Sequence, residues 1–139
     1  VAHQTYDYDK TDRIPLDQLP WAQSADHMPH PVRAAQFTTI ALAALGLFLS
    51  IFGSTAGNPE AVGALVFGFL PTWIAATASL RFTQRSRTAH TTVIICGAIE
   101  ILFGLAGMLN HTPPGLLGLL CGLTTSAMLT RPSARAWFA

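Results

Sequence analysis

The chain has 139 residues, half of them hydrophobic, and carries a net charge of +1. Only 11% of its residues are charged, against about 25% in an ordinary soluble domain. Such a composition excludes a water-soluble globular core, gives no basis for a nucleic-acid partner, and predicts an integral-membrane protein whose first partner is the lipid bilayer.

The charges are segregated. Five of the seven acids precede residue 27, and the other two are Glu60 and Glu100. The bases are Lys10, Arg13, Arg33, Arg81, Arg85, Arg87, Arg131 and Arg135. Between them lie four long apolar stretches.

Residues 1–33 read as a polar, slightly acidic tail, unlike a secretory signal with its basic start and apolar run. Pro15, Pro20, Pro29 and Pro31 interrupt helical continuity. Ile14, Leu16, Leu19 and Trp21 are the clustered apolar residues of the tail. They suit docking on a partner, or lying at the membrane surface with Trp21 at headgroup level.

The first span is expected over residues 34–53, followed by the base-free loop STAGNPE. Pro59 and Glu60 suit a helix start, where a proline needs no donor and an acid meets the positive dipole end. The second span, residues 61–80, contains Pro71. That proline predicts a kink and frees the carbonyl of Phe67. A loop with Arg81, Arg85 and Arg87 leads to the third span, residues 90–109. The loop HTPPG precedes a short fourth span, residues 116–130. Residues 131–139 form a C-terminal tail in which Trp137 and Phe138 are expected to anchor at the interface.

Every Lys and Arg falls in the first tail, the middle loop or the last tail. The positive-inside rule then puts those three segments, and both termini, in the cytoplasm. The expected fold class is an all-α membrane protein, with four transmembrane helices arranged as two antiparallel hairpins. A shift of 54 residues superposes the hairpins without a gap, setting Thr38 on Thr92, Gly53 on Gly107, Pro59 on Pro113 and Arg81 on Arg135. This suggests a parallel two-hairpin repeat. Glu100 falls on Gly46, so the acid belongs to one half only.

Glu100 is the residue that most needs a reason. A carboxylate near the bilayer centre costs roughly 2.5–3.5 kcal/mol on insertion scales. Gly97, Gly104, Gly107 and His111 share its helix face at spacings of three, four, seven and eleven. Small residues admit a neighbouring helix, so the acid is expected to point into the bundle. Counting residues puts Pro71 and the cluster Thr124, Thr125 and Ser126 at similar depth. A neutral Glu100 could donate to the Phe67 carbonyl or a threonine hydroxyl. Two roles are open: an intramembrane proton or cation site, or a polar contact between helices.

Other signals are bland. Cys96 and Cys121 lie in apolar spans and read as packing residues. His27 and His30 sit among prolines and make a poor metal motif, and no histidine pair lies within the spans to hold a haem. No metal or other cofactor is expected. Gly118 and Gly122 suggest a close helix contact. Arg81, Arg85 and Arg87 are topology determinants and candidate contacts for anionic lipid. No nucleophile elbow, phosphate loop or zinc motif occurs, and no catalytic residue is expected. Four-span chains of this size include the small multidrug transporters; the resemblance is one of architecture alone, because those carry their acid in the first span.

The functional expectation is a non-catalytic accessory or structural subunit of a larger membrane complex, such as a respiratory or transport assembly, with other integral-membrane subunits as partners. The alternatives are a small homo-oligomeric proton- or cation-coupled transporter using Glu100, and a lipid-binding protein that organises the membrane. The Lys-poor, Ala- and Gly-rich usage suggests a bacterial plasma membrane.

Overall fold

The computed structural model describes residues 27–55 and 57–139. The docking cluster read in the tail (Ile14, Leu16, Leu19 and Trp21) lies outside the described residues. Among the described residues there are five α-helices: α1 His30–Thr55, α2 Pro59–Ser79, α3 Arg87–Asn110, α4 Gly115–Leu129 and α5 Pro132–Phe138. A single 3-10 turn, Phe82–Gln84, sits between α2 and α3. No strand occurs among the described residues. Helices α1, α2 and α3 are long and apolar enough to cross a membrane, while α4 is apolar but shorter.

Local chemistry sets the helix starts. The expected span began at residue 34, but α1 already begins at His30. Pro31 is accommodated because first-turn amides have no intrahelical partner to lose. Asn58 caps α2, its side chain accepting the Ala61 amide at 3.2 Å, with Pro59 and Glu60 following in the first turn. Ser86 caps α3 by accepting the Ala89 amide at 3.3 Å. At the other end of α3, His111 turns left-handed at φ 54°, and the Thr112 amide folds back on the Gly107 carbonyl at 2.8 Å.

The four long helices form a closed ring. Helices α1 and α3 each pack on both α2 and α4. Gln36, near the start of α1, donates to the Ser79 carbonyl at the end of α2 at 3.0 Å, so these two helices run in opposite directions. Halfway along, the Trp73 indole donates to the Ala43 carbonyl at 3.1 Å. We expect Trp73→Phe to cost about 1 kcal/mol, the net worth of one such bond. Thermal denaturation in detergent would read this, and an unchanged melting point would show that the bond contributes nothing.

Helices α3 and α4 meet backbone to backbone. A Cβ on Gly104 would lie 2.5 Å from the Leu119 nitrogen, and one on Gly122 would lie 2.8 Å from the Gly97 carbonyl. Glycine is what allows this approach. The apolar core gathers at the end of the bundle where α1 begins and α4 ends, with Val32, Ala75, Phe82, Val93, Leu129 and Phe138 buried. Farther along, the Phe69 ring fills the space left by Gly46. Outward lie Phe37, Phe48, Ile51, Phe52, Leu102 and Leu109. A polypeptide in lipid shows apolar side chains outside and keeps its polar groups satisfied within.

Helix α5 departs from expectation. Phe138 is buried, its ring edge-on to Phe82 with centroids 5.2 Å apart. The Trp137 indole donates to the Phe82 carbonyl at 2.9 Å. Both residues of the expected interfacial anchor thus pack on the α2–α3 segment, Phe138 buried and Trp137 half-buried. Together they close the end of the bundle, because the chain after Thr130 turns back across the α2–α3 loop.

Candidate functional site: an interior acid and a basic end

Glu100 projects from the middle of α3 into the ring and is 2% exposed. Its position follows from the glycines: Gly97, Gly104 and Gly107 are buried on the same helix face, and α4 lies directly against them. From α2, the Thr72 side chain faces the Glu100 carboxyl. From α4, Thr125 is likewise buried. Three enclosed oxygens, Glu100 Oε1, Thr72 Oγ1 and Thr125 Oγ1, have no hydrogen-bond partner among the described residues. Native interiors leave few such groups unpaired, and each one calls for an explanation. No Lys or Arg lies within any of these helices beyond its first turn, so among the described residues no helix cation sits at the depth of the acid.

The predicted site residues take different positions. Glu100 and Thr125 both point into the bundle. Thr124 does not: it faces outward and its hydroxyl donates to the Leu120 carbonyl of its own helix at 2.7 Å. Adjacent helix positions differ by about 100°, so only one of the two threonines can face inward. No hydrogen bond joins Glu100 to the Phe67 carbonyl. The Phe67 ring instead stacks on Phe103 at 5.5 Å on the outer side of α2 and α3. His111 is exposed and serves as a helix cap. Sequence reasoning missed Thr72. The signal was available, since Thr72 follows Pro71, already placed at the depth of Glu100.

The second cluster is the basic end. Arg87 Nε donates to the Phe138 carbonyl at 3.1 Å, and its Nη2 donates to the Ala139 carbonyl. The Arg85 guanidinium lies over the Trp137 ring, 4.2 Å from its centroid. The His90 ring stacks on Phe138 at 4.6 Å, and its Nε2 is 3.1 Å from the Leu129 carbonyl. Two of the three loop arginines thus hold α5. The third, Arg81, borders a surface groove of about 230 Å³ between α2 and α3.

Among the described residues no group of three or more His, Cys, Asp and Glu side chains converges as a metal site would require. No protein family, no curated protein and no solved structure shows significant similarity to the chain.

Proposed function

We propose that the chain is a non-catalytic subunit of a larger integral-membrane assembly, built as two antiparallel helix pairs in a plasma membrane with both ends cytoplasmic. The observation that supports this is the length of α4. Its 15 residues reach about 22 Å at 1.5 Å per residue, short of a hydrocarbon core of about 30 Å. Yet α4 turns Leu116, Leu117, Leu120 and Leu123 outward. A short apolar helix strains the surrounding bilayer, and association with another helix relieves that mismatch. A neighbouring subunit lying along α4 would do so. The two helix pairs are then a parallel repeat in which the second pair has lost length and gained an acid.

The test is the native mass after extraction in a mild detergent, with co-purifying chains identified and counted. A fixed ratio to another integral-membrane protein is expected. A protein that runs alone under conditions that preserve known membrane complexes would overturn the reading.

A second reading rests on the enclosed Glu100 carboxyl and the Thr72 side chain facing it. A carboxyl facing a hydroxyl inside a membrane bundle can accept and release a proton or hold a small cation, as transport sites do. Proteoliposomes carrying the purified chain are then expected to pass protons, and Glu100→Gln to abolish the flux. Equal flux in both proteins would rule out a transport role for this residue.

A further inference from the structure

We propose that the groove bordered by Arg81 binds a phosphate group, and that its occupant is an anionic glycerophospholipid of the surrounding membrane. The groove runs between the last turns of α2 and the first turns of α3. Farthest from the α2–α3 loop lie Ile74 and Thr92, then Thr77 and Ala78, and at the loop end Arg81, Ser86 and Thr88. The groove therefore places a cation at the loop end of a wall of mixed apolar and threonine side chains. A lipid fits such a wall with its phosphate at the cation and its ester and acyl groups farther in.

Three observations support this occupant. First, the structure sets Arg81 apart from Arg85 and Arg87. Arg87 is bonded to the carbonyls of Phe138 and Ala139, and Arg85 lies on Trp137. The Arg81 side chain is exposed and makes no hydrogen bond or ion pair among the described residues. A guanidinium presents a planar fork that matches two phosphate oxygens. Second, the local field is uncompensated. The acids among the described residues are Glu60, at the start of α2, and Glu100, in the bundle interior. Arg81 and Arg85 belong to the loop beside the groove and Arg87 opens α3 directly after it, and basic segments next to a membrane attract anionic headgroups. Third, the position suits a lipid. Arg81 directly follows Ser79 and Leu80 at the end of a helix long and apolar enough to cross a membrane, so its guanidinium is placed at headgroup level while Ile74 lies within the acyl region. This inference does not depend on whether the chain has a partner subunit.

Native mass spectrometry of the full chain in a mild non-ionic detergent tests it, with phosphatidylglycerol and inorganic phosphate titrated separately. One phosphatidylglycerol is expected to bind per chain. Arg81→Gln should weaken it by about tenfold or more, the loss expected for a hydrogen bond to a charged group. Arg131→Gln, at a residue that does not line the groove, should change it less than twofold. Thr77→Phe, which fills the groove without altering charge, should also weaken binding. Phosphatidylglycerol binding much tighter than inorganic phosphate identifies the lipid as the source. Equal, Arg81-dependent affinities identify free phosphate and overturn the lipid assignment. Binding by Arg81→Gln that matches the unaltered protein, or an unchanged Thr77→Phe, overturns the site itself.

Discussion

Gly104→Ala is expected to force α3 and α4 apart and to lower stability by about 1–3 kcal/mol, the usual cost of overpacking a tight contact. The new methyl would sit 2.5 Å from the Leu119 nitrogen and 2.8 Å from its Cα. Those are backbone atoms of a helix, so the neighbour cannot rotate away as a side chain could. The matched control is Gly63→Ala on α2, where nothing lies within 4 Å of the added carbon. That change should be neutral or slightly favourable, since alanine is the better helix former by about 1 kcal/mol. Thermal melts of both variants in the same detergent decide the matter. Equal melting points for the two would mean that α3 and α4 are not in backbone contact. Because Glu100 is enclosed by this same helix pair, Gly104→Ala is also expected to raise solvent exchange around the acid, an effect that Gly63→Ala should lack.

The second large effect is expected at the opposite end of the chain. Phe138→Ala removes a buried ring that contacts Phe82 and His90. Truncating a buried phenylalanine typically costs about 3–5 kcal/mol. Here the expected outcome is local: α5 detaches while the four-helix ring persists. Hydrogen exchange over residues 132–138 should lose its protection, whereas exchange in α3 should be little changed. Arg87→Ala should act in the same direction with a smaller loss, about 1.5–3 kcal/mol for charged hydrogen bonds. Full protection of residues 132–138 in the Phe138 variant would show that α5 does not depend on this contact. Release of α5 also removes the carbonyl partners of Arg87, so the Phe138 variant should bind anionic lipid less selectively at Arg81.

The sequence by itself determined the helices and their apolar character. Long runs without charge, punctuated by Asn58, Pro59, Ser86 and the HTPPG loop, leave the backbone few alternatives, because turn and cap chemistry is local. Glycine spacing around Glu100 was enough to turn the acid inward, since residues three and four apart share a helix face. What sequence periodicity could not supply was the partner of each face. Thr124 and Thr125 are both plausible neighbours of an acid at that depth; only the rotation of α4 against α3 sends one to the interior and the other to the outside. Thr72 enters for the same reason, through the placement of α2 across the ring. Arg81, Arg85 and Arg87 look equivalent in sequence, as three bases in one loop. Tertiary structure separates them, because the chain after Thr130 folds back and takes Arg85 and Arg87 as anchors for Trp137, Phe138 and Ala139. Composition and local chemistry decide which segments are helical and apolar; contacts between residues about fifty positions apart decide which polar groups remain available.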